Sequence, residues 1–164
     1  RDKRINFKKI DAIRYLKNNK KKFDLILIKQ TIHLLKFEQI RQLLILCKKA
    51  LNPRGKIMIF TLETFNNEIP TFLLMKKELR KSLNRDKKII QYISKLYARN
   101  LIKKFSFKVK ITKRKYIKMI ENRYISTLLS FKFKEISQGI KEIKSKYNKI
   151  LYFNDKLICL ILKK

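Results

Sequence analysis

Two kinds of hydrophobic run alternate along the first third of the chain. Phe23-Asp24-Leu25-Ile26-Leu27-Ile28 is a compact apolar run of strand length, and Ile57-Met58-Ile59-Phe60 is a second. Such continuous runs predict strands buried on both faces, as at the centre of a parallel sheet. Between them Phe37, Ile40, Leu43, Leu44, Cys47, Ala50 and Leu51 recur every three or four residues, with Glu38, Gln42, Lys48 and Lys49 mainly off the stripe. That spacing predicts an amphipathic helix over 37–51. Asn52-Pro53-Arg54-Gly55 predicts a turn that stops it. Strand, helix and strand in this order predict a right-handed βαβ unit with 24–28 and 57–61 as neighbouring parallel strands.

Around this unit the patterning is more varied. Ile5 to Ile10 reads as a short extended run closed by Asp11-Ala12, Ile13 to Leu16 as a short helix, and Lys17 to Lys22 as a charged turn. Residues 69–102 are helical in pattern and strongly basic. Phe105, Phe107, Val109 and Ile111 alternate with polar residues, which predicts a half-exposed strand. Tyr116 to Ile125 and Glu135 to Tyr147 predict two more helices. Ile150 to Phe153, Asn154-Asp155 and Leu157 to Leu162 read as strand, turn and strand. The fold class expected is α/β, in one domain with a core over 1–65, a helical region over 66–148 and a closing strand region over 149–164.

Composition narrows the class. With 164 residues and 45% apolar content, the chain can bury a real core and is not a disordered tail. No stretch approaches the ~18 apolar residues of a membrane span. No apolar run of the signal-peptide kind follows the opening Arg-Asp-Lys-Arg, so a cytoplasmic protein without a membrane partner is expected. Cys47 and Cys159 sit far apart in apolar stretches, as buried thiols do, and one histidine with no ligand spacing argues against a metal.

The net charge of +32 would attract polyanions without specificity. Its basic residues are 34 Lys and 10 Arg, spread over nearly every segment. Lys, Ile, Asn and Phe are abundant together, as AT-rich codons would make them. A solvated lysine surface without specific nucleic-acid binding is therefore favoured. A basic RNA-binding or polyanion-binding module stays open as the alternative, with Tyr92, Tyr97, Phe105 and Phe107 as stacking groups.

Several segments resemble class I S-adenosylmethionine (SAM) dependent methyltransferases. Phe23 to Leu35, with Lys29-Gln30-Thr31-Ile32-His33 after the apolar run, is similar to that family's fourth-strand motif. Ala50-Leu51-Asn52-Pro53-Arg54-Gly55-Lys56-Ile57-Met58-Ile59 resembles its turn and fifth strand, although the family's turn is closer to Lys-Pro-Gly-Gly. Ile10-Asp11-Ala12 is similar to the acidic-small pair after its third strand. Glu121 to Leu128, Glu135 to Ile140 and Phe153 to Ile158 resemble a subgroup related to trans-aconitate methyltransferases. The resemblance spans essentially the whole chain and rests on the order and spacing of the motifs.

It implies a partial Rossmann-like sheet, from the third strand onward with added helices, and methyl transfer from SAM to a small-molecule acceptor. It also implies that the Gly-x-Gly-x-Gly turn and ribose-binding acid of the family are lacking, since only Gly55 and Gly139 occur. A separate N-terminal half, or a non-functional remnant, is thus an expectation. A chain lacking the two central strands would expose apolar faces, bind SAM weakly and aggregate.

By resemblance, Asp11 meets the adenine amino group with Ala12 beside it, while Asp11 also suits a helix cap. Lys29 and Gln30 lie where a backbone carbonyl would hold the methionine amine, or are loop residues facing water. His33 packs over the cofactor, acts as a base, or is structural. Arg123 and Tyr124 fall on the substrate side, where an Arg fork suits a carboxylate, or face solvent. Glu63 is a further candidate for the substrate pocket.

Overall fold

The computed structural model describes residues 5–97 and 100–164. The opening residues 1–4, and residues 98 and 99 within the predicted 69–102 helix, lie outside them. Five helices are present among the described residues: α1 (Ala12–Asn18), α2 (Phe37–Ala50), α3 (Leu73–Leu96), α4 (Lys113–Glu121) and α5 (Phe133–Lys146). Four strands, β1 (Phe23–Lys29), β2 (Leu51–Leu62), β3 (Asn100–Thr112) and β4 (Ile150–Lys163), form one mixed sheet in the order β1-β2-β4-β3. This is an α/β fold.

The βαβ unit forms as its periodicity predicts. β1 and β2 are parallel, with Ile26 opposite Ile57 and Ile28 opposite Ile59, and α2 joins them. Helix α2 buries Ile40, Leu43, Leu44, Cys47 and Ala50, the expected stripe, against the sheet. Its first turn is closed where the Lys36 backbone N donates to Gln39 Oε1 at 2.9 Å.

The predicted turn at 52–55 takes another form. Leu51 already pairs with Phe23, and the next partners are Leu25 and Lys56, so β2 uses five residue steps where β1 uses two. Asn52 to Gly55 bulge out of a continuous strand, which accommodates Pro53 without losing a ladder bond. Asn52 Nδ2 donates to Asp24 Oδ1 at 2.7 Å and fastens the bulge to β1. A Cβ on Gly55 would lie 2.9 Å from both Leu51 Cδ2 and the Phe23 carbonyl oxygen, so the close return of the chain needs glycine there.

The end of the chain also departs from expectation. Residues 150–163 form one strand, without a turn at Asn154-Asp155. It pairs antiparallel with β2 on one side and with β3 along its full length on the other, from Asn100↔Leu162 to Thr112↔Ile150. Glu68 Oε2 accepts from the backbone N and Nδ2 of Asn154, at 3.0 and 2.8 Å, so the turn-forming asparagine is held extended by a partner 86 residues away. Tertiary pairing overrides the local turn preference. Likewise α3 starts at Leu73, residues 69–72 lie ahead of it, and Asn100 to Ile102 are strand. Helix α4 stops at Glu121, where Arg123 takes φ 53°, and Ser126–Ser130 is a 3-10 turn.

Two hydrophobic clusters result. Ile28, Ile57, Ile59, Ile158, Leu160 and Leu162 pack under α2 and the Ile89–Ile93 end of α3. Tyr116 and Ile120 of α4 and Ile136 and Ile143 of α5 pack on Leu151, Ile111 and Phe153, together with Phe72 and Met75. Cross-strand partners share a sheet face. The row Leu27, Met58, Ile161, Leu101 lies on the face opposite α2, and it is largely open: Leu27 is 55% and Leu101 48% exposed.

β1 is therefore an edge strand with one covered face, not the doubly buried central strand expected of its apolar run. Leu25, at 53%, is exposed beside Leu27. The extended run at 5–10 joins no strand, and its residues are exposed. An extended segment becomes a strand only through ladder bonds, and no described residue provides them outside β1.

Gly139 decides how closely α5 approaches the start of α3. A Cβ there would lie 2.6–2.7 Å from the ring of Phe72, which is 1% exposed and braced edge-on by Phe131 at 5.8 Å. Gly139→Ala should gain ~1 kcal/mol of helix propensity and lose about 1–3 kcal/mol to overpacking, for a net destabilisation. Urea unfolding checks this, and adding Phe72→Leu should recover part of the loss.

Candidate functional site

The strands end where the candidate residues collect. At the carboxyl end of β1 the chain turns sharply: Gln30 adopts φ 51°, and its backbone N donates to the Phe60 carbonyl at 2.8 Å. A non-glycine residue in the left-handed region is uncommon outside turns and binding sites. The 3-10 turn Ile32–Leu34 follows, with Ile32 buried as its anchor. That anchor turns His33 toward the 126 region, where Nε2 and Ser126 Oγ lie 3.0 Å apart.

A cavity of about 370 Å³ opens beside this turn. Its apolar wall comes from Leu62, Ile69, Val109, Ile111, Met119, Ile125 and Phe153. Its polar groups are few: Gln30, His33, Ser126, Asp155, and the hydroxyls of Tyr116 and Tyr124. Tyr116 is committed to structure, since its hydroxyl donates to the Pro70 carbonyl and burial raises its pKa. Tyr124 is 76% exposed at the mouth.

Asp155 extends from the middle of β4. Burial raises its carboxyl above the ordinary value, while the charge of Lys29 pulls the other way. Behind His33 lies Asp86, buried on α3, which accepts from Thr61 Oγ1 at 3.3 Å. Burial raises the Asp86 carboxyl, and His33, the Thr61 hydroxyl and Arg85 each oppose that shift.

A second recess, of about 630 Å³, runs along the open edge of β1. Ala12, Leu16, Leu25 to Lys29, Thr31 and Leu34 are among its lining residues. Asp11, one residue before Ala12, does not itself line the recess and is the N-cap of α1, its Oδ1 accepting from the Arg14 backbone N at 2.8 Å. The capping role is thus realised, and one carboxylate oxygen serves it.

The sequence candidates are divided between these places. Gln30, His33 and Tyr124 line the smaller cavity, and Ala12 and Lys29 line the edge recess. Arg123 lines neither. Its side chain turns away from Tyr124, with Nη1 at 3.4 Å from the Leu129 carbonyl, into a separate recess of about 460 Å³ shared with Phe133 and Ile140 of α5. The left-handed backbone at Arg123 separates the two neighbours. Glu63 binds Lys104 Nζ at 2.7 Å and lies outside the cavity.

Of the proposed stacking groups, Tyr92 packs edge-on against Phe37 at 5.2 Å, and the Tyr97 hydroxyl donates to the Leu44 carbonyl. Phe105 and Phe107 are 36% and 52% exposed on β3. Sequence reasoning missed Asp155, Ser126 and Asp86. Asp155 reads as a turn residue, and nothing local marks the other two. Among the described residues no cluster of three His, Cys, Asp or Glu could hold a metal, and no helix is long and apolar enough to cross a membrane.

Among protein-family models and among curated proteins, nothing matches the chain. Solved structures resemble it only distantly. A SAM dependent methyltransferase from Archaeoglobus fulgidus is 20% identical, with 99% of this chain and 69% of that one covered and a TM-score of 0.48. The phosphoethanolamine N-methyltransferase 2 of Haemonchus contortus, bound to phosphomonomethylethanolamine and S-adenosylhomocysteine, is 17% identical, with 86% of this chain and 33% of that one covered and a TM-score of 0.38. The plantazolicin methyltransferase BpumL, bound to a monoazolic desmethylPZN analog and S-adenosylhomocysteine, is 15% identical, with 91% and 56% covered and a TM-score of 0.37. The chain spans a third and just over half the length of the last two. The α/β architecture rests on the strand pairings themselves.

The strand carrying Asp155 is held from the adjoining loop by Glu68, which accepts from Asn154 and pairs with Lys156 Nζ at 2.5 Å. The Lys156 hydrogen bond, then those from Asn154, lower the Glu68 pKa from 4.5 to about 2. A carboxyl depressed on folding stabilises the fold above its unfolded pKa and loses that contribution as pH falls toward the folded one. Stability should therefore decline between pH 4.5 and about 2 partly through Glu68. Glu68→Gln should flatten that part of the profile, read as urea midpoints across the range.

Proposed function

We propose that this chain takes part in methyl transfer from SAM to a small-molecule acceptor. The observation that carries the reading is the arrangement at residues 29–34: the edge recess and the cavity share this one turn at the carboxyl end of β1. Open α/β sheets bind ligands at that edge. Two adjoining chambers, one long and apolar along a strand and one compact with few polar groups, suit a cofactor and an acceptor meeting at a point.

The donor set fits the cofactor in part. The apolar strand side chains and Ala12 suit a flat purine, and the Asp11 carboxylate oxygen that is not capping α1 suits an exocyclic amine. The carbonyls near Gln30 suit an ammonium group. SAM would supply an electrophilic methyl on a sulfonium, and the chain's residues would hold the acceptor in line with it, which is a matter of positioning more than of acid or base. His33, held by Ser126, is placed to orient the acceptor or take its proton.

The reading includes a partner segment. The outer edge of β1 and the exposed Leu25 and Leu27 beside it fit a polypeptide that adds a strand and covers the open face. Without it, SAM should bind this chain with millimolar affinity or weaker, because no glycine-lined turn holds the methionine portion. Isothermal titration is the test, together with label transfer from methyl-labelled SAM once an upstream segment is joined. Micromolar binding by this chain alone would refute the need for a partner, and a completed protein that binds no SAM would refute methyl transfer.

A polyanion reading keeps one observation, the exposed Phe105 and Phe107 beside Lys103, Lys104 and Lys108 on β3. Binding to single-stranded RNA should be steeply salt-dependent and indifferent to sequence, as lysine charge alone produces. A defined sequence preference that persists at high salt and is lost in Phe107→Ala would favour this reading instead.

A further inference from the structure

The charge of the cavity opposes that of the molecule. Lys and Arg outnumber Asp and Glu by 44 to 12, yet no Lys or Arg lines the cavity, and its one carboxylate is Asp155. Among the described residues none donates a hydrogen bond or forms an ion pair with that carboxylate, and Lys29, the cation acting on it, lines the other recess. Asp155 is half-buried, and its carboxylate, without a protein donor, is free to accept one from a ligand.

The surroundings narrow the ligand. Phe153 precedes Asp155 by two residues on the same face of β4, and its ring lies 6.3 Å from that of Tyr116. Tyr124 completes an aromatic set at the mouth. Aromatic faces and a carboxylate are the two groups that hold an ammonium, the first through the ring quadrupole and the second through charge-assisted hydrogen bonds. A carboxylate ligand would meet the like charge of Asp155, and Arg123, the cation that could have held one, faces elsewhere.

We propose that Asp155 is the specificity-determining anchor for a cationic, amine-bearing molecule with an apolar body, bound in this cavity between His33 and Phe153. This rests on the reading of the cavity as the acceptor site, and it replaces the carboxylate class that the sequence position of Arg123 suggested. The ammonium pairs with the Asp155 carboxylate, and the apolar body lies along Val109, Ile111 and Ile125.

The test is binding to the intact protein, without SAM, of two probes that differ in charge: phenethylamine and 3-phenylpropionate, followed by ligand-observed NMR and titration. The amine should bind and the acid should not. Asp155→Asn should weaken the amine by about tenfold or more, as losing a charge-assisted hydrogen bond does. Asp155→Glu should keep most of the affinity, and Arg123→Ala should change nothing. If Asp155→Asn fails to fold, the preference between the probes in the unaltered protein and the Glu variant decide. Equal binding of both probes, preference for the acid, or loss of binding in Arg123→Ala overturns the proposal.

Methyl transfer is scored separately, with labelled SAM. Amine binding without methyl transfer would leave the anchor standing and remove the methyltransferase reading. Methyl transfer to a carboxylate, with no amine bound, would do the reverse.

Discussion

Everything in this molecule hangs on the antiparallel insertion of β4 between β2 and β3. β2 comes from the βαβ unit and β3 follows the long helix, and the two never touch as neighbours in the sheet. The last strand of the chain joins them, with thirteen residue pairs to β3. Loop closure over such separations is entropically unfavourable, so the apolar residues of β4 must repay it. Ile158, Leu160 and Leu162 do so under α2 and α3, and Leu151 does so under α4 and α5. One strand thus belongs to both hydrophobic clusters.

The same strand makes the site. Its alternation sends Asp155 and Phe153 to one face and Asn154 and Lys156 to the other, where Glu68 holds them. The cavity is accordingly assembled from stretches far apart in sequence, with its polar groups supplied by the turn after β1, α4 and the segment after it, and the middle of β4. Three of its polar groups are spoken for, His33 and Ser126 by each other and Tyr116 by Pro70. Asp155 stands apart because the strand fixes it beside aromatic rings without a donor.

Charge plays a smaller part inside than the composition suggests. The lysines carry flexible stems and strongly hydrated heads, and burying one without a partner is costly, so they populate the surface. Both clusters and the cavity wall are free of them. What remains unusual outside is the open apolar row at Leu25 and Leu27 on an unpaired edge. Such edges are sites of association.

By itself the sequence determined whatever local periodicity encodes. The stripe from Phe37 to Ala50, the apolar runs at 23–28 and 57–60 and the alternation from Phe105 to Ile111 specify elements whose side-chain period is a property of the backbone alone. From these the α/β class and the parallel β1–β2 pair could be read. Tertiary structure decided the rest, wherever a residue's state depends on a distant partner. Asn154-Asp155 is a turn by composition and a strand by virtue of Glu68 and β3; Asn52 to Gly55 is a turn by composition and a bulge because Phe23 already pairs with Leu51. Arg123 and Tyr124 are adjacent in sequence and diverge because Arg123 itself takes a left-handed backbone conformation after α4. Asp155 gave no local sign of its place in the cavity, since a carboxylate acquires its chemistry from what surrounds it, and its surroundings come from Phe153, Tyr124 and His33, brought together only when the sheet closes.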